Sequence, residues 1–313
     1  SYLKVSEGCD HTCAFCAIPL MRGLHRSAPL DELVSEATEL ARAGVQEINI
    51  ISQDTTWYVR DLRRHDAQAP LLPDLLRALL DQTDVPWYRL FYMYPSGLTP
   101  EVLEVLADGA ARSSGPRIVP YLDIPLQHGS DRMLAAMRRP ERRATIRQRV
   151  QQLRDAIPEI TLRTTVIVGF PGETDEDFNE LVELLEEIEF DRVGAFTYSL
   201  EEDTRAAHLE GHLPESLKRE RLEQLMDVQR SISFERNLAQ IGRRMRVLVD
   251  RRLEGDEADP EFAAIARGES QALDVDGVTQ LLHHTETLPR PGTFVDVEVV
   301  DALEYDLIAQ VLT

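Results

Sequence analysis

The sequence contains few cysteines and no long apolar run. Only three of its 313 residues are cysteines, and an odd number without a fourth partner excludes a disulfide framework. No apolar run approaches the roughly 18 residues that a membrane-spanning helix needs, and no signal peptide opens the sequence. We therefore expect no membrane association, and free thiols without a targeting segment predict a cytoplasmic location.

Basic residues are scarce relative to acidic ones. The sequence has 34 lysines and arginines against 55 aspartates and glutamates, which gives a formal charge of −21. Such a charge opposes tight non-specific binding to a nucleic-acid backbone, and it favours a basic partner. The alternative is that the acidic surface only keeps the protein in solution.

All three cysteines lie in one short segment near the start of the sequence. Cys9, Cys13 and Cys16 form the pattern CxxxCxxC, and Phe15 directly precedes the last of them. Thiolates that converge in one loop bind either a zinc ion or the corners of an iron–sulfur cluster.

The fourth ligand distinguishes these two alternatives. A structural zinc site is closed by four protein ligands, and His11 or His25 could complete it. The protein would then be a zinc-stapled interaction module without catalysis. Three cysteines around a [4Fe-4S] cluster would instead leave one iron open, and an open iron is a reaction site. The cysteine spacing, together with Phe15, favours the cluster.

Short apolar runs alternate with amphipathic helical stretches over residues 2–199. This alternation predicts an α/β fold in which strand–helix units form a parallel sheet, here a partial (β/α)6 barrel. The six predicted strands are residues 3–5, 47–51, 88–94, 121–126, 162–169 and 193–198.

A change of sequence pattern divides the chain in two. Residues 214–240 form one long charged helical pattern, and five short β-rich runs follow it. These runs predict a small all-β barrel. We therefore predict a first domain over residues 1–240, including the linker helix, and a barrel domain over residues 241–313. The predicted barrel strands are residues 245–249, 270–275, 278–282, 294–300 and 307–312.

Polar residues cluster where the predicted strands of the first domain end. Gln53 and Asp54 follow the second strand, Gln127 follows the fourth, and Glu173 follows the fifth. In parallel α/β sheets and barrels, binding sites form at the carboxyl ends of the strands. These residues are therefore candidates for one common site with the cysteine loop.

Arg163 lies inside the fifth predicted strand. A charge buried there is costly unless it has a partner. That partner is either a carboxylate of a bound ligand or an internal aspartate, Asp123 or Asp54, and the sequence favours neither.

Several segments together resemble one known family, the radical S-adenosylmethionine (SAM) methylthiotransferases. The resemblance implies that Cys9, Cys13 and Cys16 are the catalytic ligands of a [4Fe-4S] cluster, and that SAM binds the open iron. It further implies that Phe15 packs near the adenine and that five candidates surround SAM: Gln53, Asp54, Gln127, Arg163 and Glu173. The segments that carry the resemblance are the cysteine loop and residues 2–5, 21–23, 52–55, 92–95, 122–128 and 163–174.

The same resemblance implies an activity. It is methylthiolation of the β-carbon of an aspartate in a basic small-subunit ribosomal protein, with a reductant protein such as flavodoxin or ferredoxin as electron donor. Sister enzymes modify adenosine in tRNA, which is the alternative. Residues 241–313 resemble the TRAM domain of the family, and they carry 15 acidic and seven basic residues. We therefore expect this barrel to contact protein and do not expect it to bind RNA.

One departure from the family concerns a second cluster. The family carries an N-terminal domain with three further cysteines that bind an auxiliary [4Fe-4S] cluster, which is implicated in sulfur delivery. This sequence has neither that domain nor a spare cysteine. We expect the chain to hold the SAM-cleaving core but not to complete the reaction alone.

Overall fold

The structure is a computed structural model that describes residues 1–111, 115–283 and 290–312. Contacts within it divide the chain into two compact units, Ser1–Val228 and Gln229–Thr313. The dividing point lies inside a long helix, Glu215–Leu238. The domain boundary between residues 240 and 241 remains a prediction.

Strands and helices alternate through the first unit. In chain order the elements are β1 (Tyr2–Lys4), β2 (Ser6–Glu7), α1 (Ile18–Arg22), β3 (Arg26–Ser27), α2 (Leu30–Arg42), β4 (Glu47–Ile51), α3 (Leu72–Gln82), β5 (Trp87–Leu90), α4 (Pro100–Ala110), β6 (Ile118–Asp123), α5 (Asp131–Ala136), α6 (Arg143–Ala156), β7 (Thr161–Val168), α7 (Asp175–Ile188), β8 (Arg192–Thr197) and α8 (Glu215–Leu238).

Six parallel strands form one sheet in the order β1-β4-β5-β6-β7-β8. The register places Leu3 beside Ile50, and Leu90 beside Leu122. All six predicted strands occur, which confirms the α/β fold. The strand predicted over residues 88–94 ends early, at Leu90, because Tyr92 has a left-handed φ of 57° that interrupts the extended path.

The helices other than the short α1 bury one face each, against the sheet or against one another. Helix α2, for example, buries Leu33, Val34 and Ala37, which are spaced for one side of a helix. Thr99 and Thr174 cap α4 and α7, because each hydroxyl accepts a hydrogen bond from a first-turn backbone N–H. In the described part of the chain, no helix is both long and apolar enough to cross a bilayer.

The second unit contains a closed five-stranded barrel in the order β10-β11-β13-β12-β9. Only the β11–β13 pair is parallel. Its interior is filled by small and branched apolar side chains, including Val247, Val249, Ala264, Leu281 and Val297. The barrel confirms the predicted small all-β domain. Its strands are β9 (Arg244–Arg252), β10 (Phe262–Arg267), β11 (Thr279–Leu282), β12 (Phe294–Ala302) and β13 (Leu307–Val311).

One predicted barrel strand is wrong. The sequence pattern places a strand over residues 270–275, but the structure has a loop there and a strand at Phe262–Arg267 instead. The loop is fixed by the buried side chain of Gln271, whose Oε1 accepts hydrogen bonds from the Gly268 N–H at 2.8 Å and the Thr279 hydroxyl at 2.7 Å. A glutamine is polar, so the sequence alone does not show that this one is buried and holds a loop.

Candidate functional site

A cavity of about 390 Å³ lies at the carboxyl ends of β1, β4 and β5. The cysteine loop forms its other wall, so all three thiols share one cavity with the sheet edge. The lining residues are Lys4, Cys9, His11, Cys13, Cys16, Ile18, Ile51, Ser52, Gln53, Tyr92 and Tyr94.

The cysteine loop is held in place at several points along its length. It begins after β2 at Gly8, whose φ is 78°, and a Cβ there would lie 2.3 Å from the carbonyl oxygen of Leu24. Only glycine fits both conditions. The Cys9 N–H donates to the carbonyl of Gly23 at 3.1 Å, and the Ala14 N–H donates to the carbonyl of Met137 at 2.9 Å. The loop is therefore anchored to α1 and to the end of α5.

Two of the three thiols, Cys9 and Cys16, are harder to ionise than a free cysteine because they are buried. Desolvation raises the pKa of Cys9 to about 11 and also raises the pKa of Cys16. A thiol in such a setting loses its proton when a metal centre supplies the compensating positive charge. Cys9 and Cys16 are therefore weak free nucleophiles.

The two histidines of the zinc alternative are both engaged elsewhere. His11 Nε2 lies 2.7 Å from Asp54 Oδ2, and its ring stacks on Tyr94 with a centroid separation of 4.2 Å. His25 is buried with Nε2 3.1 Å from the Ser27 hydroxyl. Throughout residues 1–111, 115–283 and 290–312, no three His, Cys, Asp or Glu side chains are arranged to hold one metal ion. No such group includes the three cysteines either, so the distinction between zinc and a cluster rests here on the two engaged histidines.

Of the predicted SAM contacts, Gln53 lies in the cavity and Asp54 lies behind it. The buried Gln53 Oε1 has no hydrogen-bond partner among the described residues. Asp54 is fully buried. Besides its contact with His11, it accepts hydrogen bonds from the backbone N–H and the hydroxyl of Thr56. Asp54 therefore orders the loop after β4.

Arg163 and Gln127 lie further along the sheet and outside the set that lines the cavity. Arg163 Nη1 donates to Asp123 Oδ1 at 2.7 Å, so the internal aspartate that the sequence allowed is present as a partner. Gln127 follows β6 with a left-handed φ of 82°. Its N–H and C=O bond to β7, at Thr165 and Ile167. A strained non-glycine residue at a strand end is typical of a binding rim.

Glu173 is buried inside a network instead of lining the cavity. Its Oε2 accepts from the Gly169 N–H at 2.8 Å and lies 3.2 Å from His128 Nε2. Its Oε1 accepts from Arg221 Nη1 at 2.7 Å. These contacts fix the turn between β7 and α7. Phe15, by contrast, is half-buried and packs on an apolar cluster that includes Phe170.

Sequence reasoning missed Tyr94 and Arg139 as individual site residues. The Tyr94 hydroxyl lies 3.7 Å from Cys13 Sγ, and Arg139 Nη1 lies 3.9 Å from the same sulfur. Tyr94 was visible only as part of a motif, and Arg139 occurs in an arginine-rich stretch that reads as a solvated loop. The available signal was its position after the fourth predicted strand, in the same rim as Gln127.

Two known families match the chain. The Radical SAM superfamily matches residues 3–185, and the TRAM domain matches residues 241–312. The ribosomal protein uS12 methylthiotransferase RimO of Myxococcus xanthus is 43% identical over 312 residues, which is 100% of this chain and 62% of that protein. RimO of Flavobacterium johnsoniae is 41% identical over 99% of this chain and 67% of that protein. The chain belongs to the RimO family of the radical SAM superfamily.

The chain spans about three fifths of the length of the RimO proteins that it matches, 62% of that of Myxococcus xanthus and 61% of that of Symbiobacterium thermophilum. Among solved structures, coproporphyrinogen III oxidase (HemN) from Escherichia coli, a radical SAM enzyme, has a TM-score of 0.50 at 15% identity. That match covers 74% of this chain and 52% of HemN. It shows a shared fold and confirms the predicted radical SAM architecture.

Membership of the RimO family implies an iron–sulfur cluster and SAM. The residues present fit both groups. Three soft donors line one cavity together with Gln53, and the burial of Cys9 and Cys16 favours a positive charge beside their sulfurs. This fit rests on Cys9, Cys13, Cys16 and Gln53. Asp54, Gln127, Arg163 and Glu173 surround this region or lie behind it.

Proposed function

We propose that this chain is the SAM-cleaving core and substrate-docking module of a methylthiotransferase that acts on ribosomal protein uS12. The single observation that carries the proposal is the shared cavity of Cys9, Cys13 and Cys16 at the carboxyl ends of the parallel strands, in a chain of the RimO family. The target atom, the β-carbon of an aspartate, rests on the resemblance of the sequence to that family.

Each wall of the cavity has a distinct part in this proposal. Cys9, Cys13 and Cys16 hold three corners of a [4Fe-4S] cluster, which when bound supplies the electron for reductive cleavage of SAM. The amide of Gln53 offers a hydrogen-bond acceptor to SAM. Lys4 and Tyr92 line the cavity as well. Asp54 acts indirectly, because it fixes His11 and the loop that carries Gln53.

The partners follow from the substrate class. A ribosomal protein substrate places the reaction in the cytoplasm, and the acidic barrel of the second unit suits a basic protein by the sign of its charge. The electron comes from a reductant protein such as flavodoxin or ferredoxin. Sulfur delivery through an auxiliary cluster needs thiols beyond the three in this sequence, so the chain binds one cluster.

Anaerobic reconstitution with iron and sulfide tests the core of this proposal. We expect about four iron and four sulfide per chain, with visible charge-transfer absorbance. After reduction, the reconstituted chain should convert SAM to 5′-deoxyadenosine. Cys13→Ala should lose both the iron and the product.

Thr12→Ala is the matched control for this experiment. Thr12 is exposed and lies in the same loop between two of the cysteines, so its variant should keep full iron and sulfide content. Stoichiometric zinc without sulfide, together with no 5′-deoxyadenosine, would overturn the proposal in favour of a zinc-stapled interaction module.

A further inference from the structure

We propose that Tyr94 and Arg139 donate hydrogen bonds to the sulfur of Cys13 and thereby raise the reduction potential of the cluster held by this loop. The inference rests on the proposed function, because it assigns a role toward the cluster that the three cysteines are proposed to bind. It makes Tyr94 and Arg139 positioning and tuning residues, since neither is a metal ligand.

Cys13 differs from the other two cysteines in what surrounds its sulfur. Cys9 and Cys16 receive backbone hydrogen bonds from within their own loop, from His11 and Ile18. Cys13 Sγ instead lies 3.7 Å from the Tyr94 hydroxyl and 3.9 Å from Arg139 Nη1. Both distances are in the range of hydrogen bonds to sulfur, and both donors come from distant parts of the chain.

Arg139 is held in a position that serves the sulfur. Its side chain is fully buried, with Nη2 donating to the Pro125 carbonyl at 2.8 Å and Nε 3.1 Å from Glu141 Oε2. Both carboxylate oxygens of Glu141 are buried and accept no hydrogen bond from any described residue. A buried ion pair that is incompletely satisfied contributes little to stability, and an apolar pair would do as well. Its value therefore lies in placing a guanidinium against the thiolate.

Tyr94 is fixed between two flat groups. The guanidinium carbon of Arg139 lies 3.9 Å from the centroid of its ring. The ring of His11 stacks on Tyr94 at 4.2 Å with an interplanar angle of 4°, and Asp54 anchors His11 in turn. These contacts on the ring fix the position of the Tyr94 oxygen, which therefore stays close to Cys13 Sγ.

Hydrogen bonds to a ligand sulfur stabilise the more negative, reduced state of a cluster. The donor withdraws charge from the thiolate, so the added electron is accommodated at lower free energy and the potential rises. The positive charge of Arg139 is balanced by the carboxylate of Glu141. Its effect on the potential therefore acts through the contact with Cys13 and not through a net charge. The cysteine loop thus gains one ligand whose electronic character depends on side chains outside the motif.

The test compares midpoint potentials of the reconstituted chain and of two variants, Tyr94→Phe and Arg139→Gln, by a redox titration followed by electron paramagnetic resonance. We expect both variants to shift the midpoint to more negative values, with iron and sulfide content unchanged. Tyr94→Phe removes one hydroxyl and keeps the ring, so it decides the question if Arg139→Gln fails to fold.

Tyr88→Phe is the matched control, because Tyr88 is a buried tyrosine on β5 whose hydroxyl bonds to Thr83 and not to the loop. Its midpoint should equal that of the parent. An unchanged midpoint in Tyr94→Phe with full iron content would overturn the inference. An equal shift in Tyr88→Phe would also overturn it, because the effect would then come from a less rigid fold and not from the hydrogen bond to Cys13. If the parent chain binds no cluster, the proposed function fails first, and this inference fails with it.

Discussion

At the scale of single residues, the buried carboxylate of Glu173 gives a sharp distinction between a structural and a cofactor-binding role. It accepts hydrogen bonds from Gly169 and Arg221, and Arg221 is itself buried. We expect Glu173→Gln to lower the free energy of unfolding by about 2 to 3 kcal/mol, because the buried guanidinium loses a charged partner. Urea denaturation measures the change.

Glu183→Gln is the control for that substitution. Glu183 is exposed and its oxygen lies 3.4 Å from Arg143, so its replacement should change stability by about 0 to 1 kcal/mol. If Glu173→Gln kept full stability but weakened SAM binding, Glu173 would be a cofactor contact, as the sequence predicted.

Single residues also show where sequence reasoning succeeds. The three cysteines stand within eight positions, so their spacing alone indicated metal chemistry. Arg139 lies 126 residues from Cys13, and their proximity depends on the order of β1, β4, β5 and β6 in one sheet and on the contact of the cysteine loop with the end of α5. No local pattern carries that information, and the roles of Asp54 and Glu173 behind the site depend on the same long-range packing.

At the scale of elements, the start of α7 should give stability a pH dependence. Burial alone would raise the pKa of Asp177, but hydrogen bonds from Arg132, the Thr174 N–H and Ser130 outweigh it and hold that pKa well below its usual range. The charged carboxylate therefore stabilises the fold above the ordinary carboxyl pKa of about 4, and this contribution is lost as the pH falls below that value.

The variant Asp177→Asn should accordingly be less stable than the parent near pH 6, and the gap should narrow as the pH falls from about 5 to 3. Thermal unfolding across this range measures it. Asp155→Asn, at an exposed aspartate on α6, controls for the substitution itself. A gap that stays constant with pH in Asp177→Asn would contradict the assignment, as would the same pH-dependent gap in both variants.

The sequence predicted which segments of the first unit are strands and which are helices, because short apolar runs and amphipathic helical stretches differ in the spacing of their apolar residues. Thr99 and Thr174 mark helix starts in the sequence, and both cap their helices. The barrel was harder. Strand β10 is alanine-rich, and alanine does not favour strands. The pairing of β10 with both β9 and β11 overrides that preference.

At the scale of the whole molecule, charge separates the two candidate substrates. Asp296, Glu298 and Asp301 lie on β12 of the acidic barrel. Replacing all three with neutral amides should weaken binding to purified uS12, by about 0 to 1 kcal/mol for each residue. Binding of the parent should weaken as salt rises, because exposed charges are screened. The tRNA alternative predicts stronger binding to phosphate in the same variant.

Neutralising Glu32, Glu36 and Glu39, three exposed glutamates on α2, removes the same charge from the other unit. Titrations of the parent and both triple variants against uS12 and bulk tRNA, at two salt concentrations, separate docking from net charge. Equal loss of uS12 binding in both variants would mean that net charge, and not docking at the barrel, attracts uS12. Tighter binding to tRNA than to uS12 would favour the tRNA-modifying sister enzymes.

The parallel sheet of the first unit begins at β1 and ends at β8, and among the described residues each of these two strands has a sheet neighbour on one side only. A closed ring of strands, such as the small barrel of the second unit, has no free strand edge. The sheet of the first unit is open and has an edge at β1 and another at β8. For the proposed reaction an open sheet matters, because a residue of a protein substrate must reach the cavity with its chain attached on both sides. A free metabolite has no such requirement.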